Sequence, residues 1–396
     1  MISEKMLALG KKSSAIREIF EYGKKRKNEI GAEKVFDFSL GNPSVCPPFV
    51  VNETIKKLVD GVDPIELHGY TSAPGDMETR KAIAKYLSDT YGTNDTADNI
   101  YMTVGAAASL TVSLNAIMCE GDEVIVLAPF FPEYRVFAEN TGAKLVVVPC
   151  RTGDFQVDVS ALEKALNAHT KAVIINSPNN PTGVVFSEES VKSLAALLSE
   201  KEKEYAHPIY IISDEPYREL VYGDVKVSYM ANYYNNTISC YSFSKSLSLP
   251  GERIGYICVS RKCEDWKNIF FAVCGAGRAL GFVCAPSLMQ KVVPACLGKT
   301  SDTSVYDVNR KLLYRELTGY GYECVNPDGA FYMFVKAFEA DASAFCEKAK
   351  KHELLLVPSD SFGVEGYVRI SYCVTTEQIK RALPAFKALA KDYGKI

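Results

Sequence analysis

The residue types that could do chemistry follow apolar runs in the middle of the chain, where buried strands would end. Asp214 comes directly after PIYIIS, and the run TISCY precedes Ser242, Ser244 and Lys245, with Arg253 eight residues beyond the lysine. A phosphate needs several donors at once, and a cofactor ring needs an acid and a lysine nearby. The combination therefore indicates a site that holds a phosphate and a ring.

Two turns bring further polar groups towards the same edge. The run NIYMTV passes through Gly105 into an apolar-faced helix that begins with Ala106 and Ala107, small residues that leave the N-terminal N–H groups open to an anion. In SPNNPTG, Asn180 lies among prolines, which have no N–H and a fixed φ. This stretch is either an ordinary loop or a rigid turn that presents Asn180 at the carboxyl end of a strand, where open α/β sheets bind ligands.

Each of these features alone has an ordinary structural explanation. Asp214 could cap a helix, Lys245 could lie in an exposed loop, and Arg253 could form a surface ion pair. Phe131, in APFFPEY, could be a core aromatic, and Arg369, in YVRISY, could be an edge-strand charge. Their occurrence together favours a ligand site over five unrelated explanations.

The elements that must position these groups alternate between about residues 100 and 260. Short Val- and Ile-rich runs, apolar on both faces, alternate with helical patterns, which predicts a mainly parallel sheet between helix layers in an α/β domain. The last third changes to a smaller α+β pattern. We therefore expect a large domain over residues 45–285 and a small domain formed by residues 1–44 and 286–396.

Composition narrows the classes of protein. The 396 residues carry a net charge of -3 from 45 basic and 48 acidic residues, so the charge excess of a nucleic-acid binder is absent. Twelve cysteines without a Cys-x-x-Cys pair favour a reducing, cytoplasmic setting over a disulfide or metal framework. No run has the length of a membrane span, and the first residues do not read as a signal peptide. We expect small-molecule partners, with no metal, membrane or nucleic acid.

The motifs in their order resemble the fold type I, class I and II pyridoxal-phosphate aminotransferases. The resemblance runs from SLGNPS to VRISY, and its strongest parts are SPNNPTG, DEPYREL and SFSKSLSLPGERIGY. It implies a large domain with a mainly parallel sheet between helices, plus a smaller α+β domain. It also implies the cofactor pyridoxal 5'-phosphate (PLP), which acts as an electron sink.

The resemblance assigns the cofactor ring to three elements. Lys245 would form the Schiff base with the cofactor aldehyde, and Asp214 would pair with the pyridine nitrogen and keep it protonated. Tyr217 and Asn180 would approach the phenolic oxygen and favour its deprotonated form. Phe131 falls where the family usually stacks a tryptophan or tyrosine on the ring.

The phosphate would be held by a cup of donors next to the ring. The helix dipole and the N–H groups of Ala106 and Ala107 would favour the anion. Ser242, Ser244 and Arg253 would complete the cup, with the arginine adding a charge-assisted fork.

The same resemblance assigns the substrate and a second subunit. Arg369 would bind the substrate α-carboxylate as a bidentate pair, and Gly41 would let backbone approach the same group. Tyr70 resembles the tyrosine that reaches the phosphate of the neighbouring subunit, which implies a homodimer with shared sites. Ala107 stands where some bacterial aspartate aminotransferases carry a lysine for a distal carboxylate. Arg278 lies near a distal arginine of other dicarboxylate enzymes, but its spacing to the following proline differs and a structural ion pair is the favoured explanation.

The implied reaction is ping-pong transfer of an amino group from an amino acid to a 2-oxo acid, with the Lys245 amine as general acid and base. Aspartate or glutamate is the favoured amino donor. Two alternatives share the fold: a C–S β-lyase and an amino-acid decarboxylase. A non-enzymatic ligand sensor is disfavoured, because the roughly 35 residues before FDFSLG are too few for a DNA-binding module and the usual arm.

Overall fold

The computed structural model describes residues 2–11 and 14–396, which contain twelve strands and fifteen α-helices. The strands are β1 (Phe36–Asp37), β2 (Ile100–Thr103), β3 (Glu123–Ala128), β4 (Lys144–Pro149), β5 (Thr170–Asn176), β6 (Tyr210–Asp214), β7 (Thr237–Ser242), β8 (Gly255–Val259), β9 (Tyr332–Lys336), β10 (Leu354–Leu355), β11 (Val357–Pro358) and β12 (Tyr367–Ser371). The helices are α1 (Glu4–Lys11), α2 (Ala15–Ile30), α3 (Phe49–Gly61), α4 (Pro64–His68), α5 (Met77–Tyr91), α6 (Ala106–Ile117), α7 (Glu133–Asn140), α8 (Val159–Ala165), α9 (Glu188–Tyr205), α10 (Phe243–Ser246), α11 (Trp266–Leu280), α12 (Ser287–Cys296), α13 (Ser304–Gly319), α14 (Ala342–Lys350) and α15 (Thr376–Asp392).

A seven-stranded sheet forms the centre of the fold. Its strand order is β2-β8-β7-β6-β5-β3-β4, and β8 alone runs antiparallel to its neighbours among these strands. Every residue of β6, β7 and β8 is buried, as expected of strands covered on both faces. The predicted α/β fold with a mainly parallel sheet is confirmed.

Helices cover both faces of this sheet because successive strand residues point to opposite sides. In β3, Val124 and Val126 pack in one apolar cluster with α6 and α11, whereas Ile125 packs in another cluster with α8 and α9. A third cluster joins β2 and β8 to α5 and α12. The sheet is therefore the rigid middle layer on which the polar strand ends are displayed.

A smaller antiparallel sheet follows in the chain and has the α+β character predicted for the last third. Its strand order is β11-β12-β9. Phe331, next to β9, packs with Leu313 of α13, Phe345 of α14 and Phe386 of α15. Helix α12 begins just after residue 285, and its residue Met289 packs with α5 on the central sheet. The boundaries of the two domains stay a prediction.

The composition raised questions about thiols, metals and membranes. All twelve cysteines are free thiols in this structure. Over residues 2–11 and 14–396, no three or more histidine, cysteine, aspartate or glutamate side chains are grouped so that they could hold a metal ion. Within the same residues, no helix combines the length and the apolar character needed to cross a membrane.

Candidate active site

Neighbouring parallel strands end at one edge of the central sheet and carry polar side chains there. Asn176 and Asp214 lie opposite each other in the register of β5 and β6. The Asn176 amide donates to the backbone carbonyl of Asp214 at 2.9 Å, and its oxygen accepts from the backbone N–H of Asn180 at 2.7 Å. Asn176 therefore ties the SPNNPTG turn to the end of β6, and this turn is a held element rather than a loose loop.

Asp214 is a buried carboxylate with one oxygen left unpaired. Tyr134 donates to its Oδ2 at 2.6 Å, whereas Oδ1 has no hydrogen-bond partner among the described residues. Burial raises the pKa of Asp214 to about 7, although the bond from Tyr134 opposes this shift. A cationic N–H donor at Oδ1 would stabilise the ionised carboxylate, so the residue suits a ligand with a protonated ring nitrogen.

Lys245 is the amine of the site. Its Nζ donates to the backbone carbonyl of Gly41 at 2.6 Å and lies 5.5 Å from the centre of the Phe331 ring. Burial lowers the pKa of Lys245 to about 8, and the positive charges of Arg253 and Arg369 act in the same direction. A larger fraction of this amine is therefore unprotonated near neutral pH than of an ordinary lysine, and the unprotonated amine is the form that attacks a carbonyl carbon.

Hydroxyls, a guanidinium and a helix N-terminus meet beside α6. Arg253 donates to Ser244 Oγ at 3.3 Å, and the hydroxyls of Ser242 and Ser244 lie 2.8 Å apart. A Cβ at Gly105 would collide with the Arg253 guanidinium at 2.5 Å, so only glycine allows this approach. Helix α6 begins at Ala106 with no side chain capping its free N–H groups. The group presents donors and positive potential together, as a phosphate requires.

Arg369, on β12, is a buried guanidinium that has no carboxylate partner in the part of the chain that the structure describes. It donates to Asn180 Oδ1 at 2.9 Å and to the backbone carbonyl of Ser39 at 2.6 Å, and its Nε has no partner among the described residues. The rings of Tyr332 and Phe362 flank it, with centres 4.6 Å and 5.2 Å from the guanidinium carbon. A bound carboxylate would supply the missing negative charge as a bidentate partner.

Two tyrosines connect these groups. The hydroxyls of Tyr217 and Tyr332 are 3.0 Å apart, and both side chains are buried. A Cβ at Gly41 would collide with the Tyr332 hydroxyl, so this glycine lets the tyrosine approach the backbone that accepts from Lys245. Since the Tyr332 ring also lies beside Arg369, it joins the predicted cofactor side of the site to the predicted substrate side.

Three predicted residues lie at the edge of this cluster or outside it. Phe131 packs edge-on against Tyr134 with ring centres 5.6 Å apart, next to the hydroxyl that holds Asp214. Tyr70 is 98% exposed, and Arg278 is exposed near the end of α11. No hydrogen bond between described residues joins either side chain to the cluster, so their roles in a neighbouring subunit's site stay predictions.

Sequence reasoning missed three residues that complete the site. Tyr134 lies three residues after Phe131, just inside α7, and this closeness in sequence was an available signal. Asn176 ends the apolar run KAVIIN, in the same position relative to its strand as Asp214. Tyr332, in GAFYMF, carried no signal of its own, because its partners are brought to it only by the packing of β9 against the rest of the chain.

Comparison with known proteins agrees with this geometry. The family model for aminotransferase class I and II matches residues 33–386. A crystal structure of an amino transferase from Eubacterium rectale is 57% identical, covers 99% of each chain and has a TM-score of 0.97. The (5-formylfuran-3-yl)methyl phosphate transaminase of Methanocaldococcus jannaschii is 33% identical over 98% of this chain and 99% of its own. The aspartate aminotransferase of Pyrococcus horikoshii is 30% identical over 96% of this chain and 95% of its own. With a lysine, an acid and a phosphate-type cup at one sheet edge, and a family match over most of its length, this chain belongs to the class I and II aminotransferases.

Proposed function

We propose that this aminotransferase uses PLP, held at the edge of the central sheet, to move an amino group between an amino acid and a 2-oxo acid by a ping-pong mechanism. The observation that carries the proposal is the buried Asp214 with its unpaired Oδ1, at the same edge as the Lys245 amine and the Arg253 group. PLP, when bound, supplies an electron sink for the charge that develops on the substrate Cα.

The residues of the cup fit the phosphate of PLP. Arg253, Ser242 and Ser244 provide side-chain donors, and the first N–H groups of α6, at Ala106 and Ala107, provide backbone donors. A phosphate group carries up to two negative charges, and this cup offers a guanidinium and a helix N-terminus without a competing carboxylate among its hydrogen-bond partners.

Four residues would hold the ring. Asp214 would accept from the ring nitrogen at Oδ1, Tyr217 and Asn180 would contact the phenolic oxygen, and Phe131 would stack on the ring. The hydrogen bond between Asn180 and Arg369 couples this ring contact to the carboxylate site. Asn180 would therefore link the residues that hold the ring to the residue that binds the substrate carboxylate.

Lys245 would hold the cofactor covalently and, when released, move the proton of the substrate Cα. A pKa of about 8 suits both tasks, because the amine can accept a proton and give it back near neutral pH. Arg369 would fix the substrate α-carboxylate, with Gly41 leaving room for it, so that the Cα–H bond faces the lysine. Such positioning contributes a large share of the rate.

We assign aspartate or glutamate as the amino donor to be tested first. The name of one relative, an aspartate aminotransferase, supports this choice. Ala107 offers no charge to a distal carboxylate, and the exposed Arg278 is the candidate for this role from a second subunit. If Arg278 has this role, Arg278→Ala should raise KM for dicarboxylic substrates more than KM for neutral ones.

We propose that the protein is a homodimer with shared sites. The exposure of Tyr70, at 98%, is compatible with a side chain that completes the neighbour's phosphate site. Large apolar side chains are also exposed on α3, α4 and α11: Phe49, Ile65 and Phe271 are 75%, 85% and 67% exposed. A covering subunit would bury such apolar surface. We also assign the protein to the cytoplasm, since its many free cysteines favour a reducing compartment.

Mixing two inactive variants tests the shared sites. Heterodimers of Tyr70→Phe and Lys245→Ala protomers should contain one site free of both changes and should recover activity above either parent. Activity of the mixture no higher than that of the two parent variants would contradict shared sites. Sedimentation of the wild-type protein gives the oligomeric state independently.

The function itself is tested with the PLP-loaded protein and single amino acids. Aspartate, glutamate and each other amino acid without a leaving group are added in turn, and products are identified by mass spectrometry. We expect pyridoxamine phosphate and one 2-oxo acid in equal amounts from at least one of them, and neither from Lys245→Ala. If none forms pyridoxamine phosphate, while cystathionine or cysteine sulfinate yields pyruvate or alanine catalytically, the protein is a lyase or decarboxylase.

A further inference from the structure

A second charged group is buried behind the candidate site. The side chains of Glu215, Arg218 and Glu219 are 5%, 3% and 16% exposed, and Arg218 bridges the two carboxylates at 2.9 Å and 3.1 Å. The guanidinium also donates to the hydroxyl of Tyr256 at 3.1 Å and lies 4.3 Å from the centre of the Tyr241 ring. We call these five residues the Arg218 network.

The network alternates along the chain with residues assigned to the cofactor. Glu215 directly follows Asp214, and Arg218 directly follows Tyr217. Ser239 donates to the second oxygen of Glu215 at 3.0 Å, so both oxygens of this carboxylate are paired. The turn that carries Asp214 and Tyr217 is thus held from its other side by charged hydrogen bonds.

A hydroxyl chain extends the network to the lysine. Tyr241 donates to Glu219 Oε2 at 2.8 Å, and the hydroxyl of Ser246 lies 2.9 Å from the same tyrosine oxygen. Because the single hydrogen of the Tyr241 hydroxyl is donated to Glu219, Ser246 is the donor in the second bond. Ser246 directly follows Lys245 in α10, so the chain from Glu219 ends one residue from the amine of the site.

The network and Asp214 lie on opposite faces of the sheet. Tyr134, the partner of Asp214, belongs to the apolar cluster that contains α6 and α11. Tyr241 and Tyr256 belong to the cluster that contains α5 and α12. The Arg218 network therefore does not line the candidate cofactor site, and any effect on that site acts through position or charge.

Stability alone is a weak reason to bury three charges. Taking ions out of water is costly, and well-packed apolar replacements of buried ion groups are often no less stable. The arrangement instead links two separate segments, the turn after β6 and helix α10, by directional bonds. It also places a guanidinium against Glu215, whose negative charge raises the pKa of the adjacent Asp214.

We propose that Arg218 is a positioning residue, which through Glu219, Tyr241 and Ser246 holds the turn of Asp214 and Tyr217 in register with the helix of Lys245. The inference rests on the PLP site proposed above. It predicts that a change made wholly on the far face of the sheet alters how PLP is held.

Two variants and a matched control test the proposal on the PLP-loaded protein. Tyr241→Phe removes only the hydroxyl that joins Glu219 to Ser246, and Arg218→Lys keeps the charge but loses the planar fork. Tyr234→Phe is the control, because Tyr234 is also buried and donates to a backbone carbonyl, that of Ile209 at 2.7 Å, in a different apolar cluster. The readouts are the rate of PLP release into a scavenger and the pH titration of the visible absorbance band.

We expect Tyr241→Phe to release PLP about tenfold faster, as for loss of a hydrogen bond to a charged group. The midpoint of its visible titration should shift by about half a pH unit or more. Arg218→Lys should change both quantities in the same direction. Tyr234→Phe should change neither, even where its thermal unfolding midpoint falls as far as that of Tyr241→Phe.

The proposal is overturned if Tyr241→Phe has the same PLP release rate and the same titration midpoint as the wild type. If Arg218→Lys does not fold, Tyr241→Phe alone decides the test. Failure of the PLP site itself gives a different result. In that case the wild-type protein would show no visible band that depends on Lys245, before any network variant is compared.

Discussion

Two carboxylates follow each other at the end of β6 and are buried in opposite ways. Asp214 has one hydrogen bond, from Tyr134, and an unpaired Oδ1, whereas both oxygens of Glu215 are paired, with Ser239 and Arg218. Burying an unpaired charge costs much free energy of folding, so an unpaired buried oxygen persists only where it serves a purpose other than stability. The far face of the turn is therefore fully paired, as in a structural contact, whereas the near face leaves a carboxylate oxygen available to a ligand.

Two of the buried arginines, Arg218 and Arg369, repeat the contrast. Arg218 contacts two carboxylates, whereas Arg369 donates to a side-chain amide and a backbone carbonyl and has an unpaired Nε. Neutral acceptors satisfy the hydrogen bonds of a guanidinium without neutralising its charge. The uncompensated groups, Asp214 and Arg369, are those that resemblance assigns to cofactor and substrate.

The largest expected effect breaks the ligand side at its amine. Lys245→Ala should lower kcat by at least about a thousandfold, within the range for loss of a general acid and base. Borohydride reduction followed by peptide mass spectrometry should find PLP attached to residue 245 in the wild type and to no lysine in the variant. Lys262→Ala is the control, because Lys262 also donates to a backbone carbonyl, that of Ala231 at 3.1 Å. A reducible adduct that survives at another lysine would refute the assignment.

The next effect concerns the uncompensated guanidinium. Arg369→Ala should lower kcat/KM for the amino donor by a factor that corresponds to up to about 5 kcal/mol of activation free energy, because the substrate carboxylate loses its charged partner. Arg369→Lys keeps the charge but loses the planar fork, so its kcat/KM should lie between the values of Arg369→Ala and the wild type. Equal kcat/KM for all three proteins, measured with the same donor, would place the carboxylate elsewhere.

The buried carboxyl of Asp214 should destabilise the PLP-free protein near neutral pH. The pKa of its carboxyl is about 7 in the folded protein, against an ordinary value of 3.8. The folded state therefore holds this proton more tightly than the unfolded chain, and its stability falls as pH rises from about 4 through about 7. In PLP-free protein at pH 8, Asp214→Asn should raise the free energy of unfolding by up to about 4 kcal/mol, since each pKa unit corresponds to about 1.4 kcal/mol.

Urea unfolding at pH 5 and pH 8 measures this effect. The advantage of Asp214→Asn should shrink to less than half at pH 5, where much of the wild-type carboxyl is protonated. Arg218→Met provides the opposite sign, because it leaves two buried carboxylates without a cation and should lower the free energy of unfolding by about 3 kcal/mol or more. The contrast between the two faces fails if both substitutions destabilise the PLP-free protein at pH 8.

The smallest effect sharpens the comparison inside the site. Tyr332→Phe removes the hydroxyl that pairs with Tyr217. It should lower kcat/KM by a factor that corresponds to about 1 kcal/mol of activation free energy, the usual contribution of one hydrogen bond. Tyr322→Phe is the matched control, because Tyr322 is buried in the same apolar cluster and donates to the carbonyl of Phe386 at 2.9 Å. If the control lowers kcat/KM as much as Tyr332→Phe, the effect belongs to the core and not to the site.

Much of the architecture could be predicted from local pattern. Runs apolar on both faces indicated β5, β6 and β7, and the parallel sheet followed from their alternation with helices. Asp214 and Ser242 were expected at one edge because parallel strands end at the same side of a sheet. The roles of these residues, the domain boundaries and the contribution of Tyr70 stay predictions.

The contacts between the site residues could not be predicted because the partners are remote in the chain. Tyr134 and Asp214 are 80 residues apart in sequence, and Lys245 and Gly41 are 204 residues apart. No local spacing indicates which tyrosine reaches which carboxylate. Tyr332, between the predicted cofactor and substrate residues, is the plainest case, since it sits in an apolar strand whose pattern predicts only burial.

By itself, the sequence of this aminotransferase determined the residue types at the strand ends, the turns that display them and the order of the motifs. These are properties of short segments, in which backbone preference and apolar periodicity act between near neighbours. Only the tertiary structure decided which oxygen of Asp214 is unpaired, why the pKa of Lys245 is low, and that Arg218 lies on the far face of the sheet. Burial and charge pairing depend on groups that meet only when distant segments pack, because removal of water and close approach of opposite charges are properties of the folded interior.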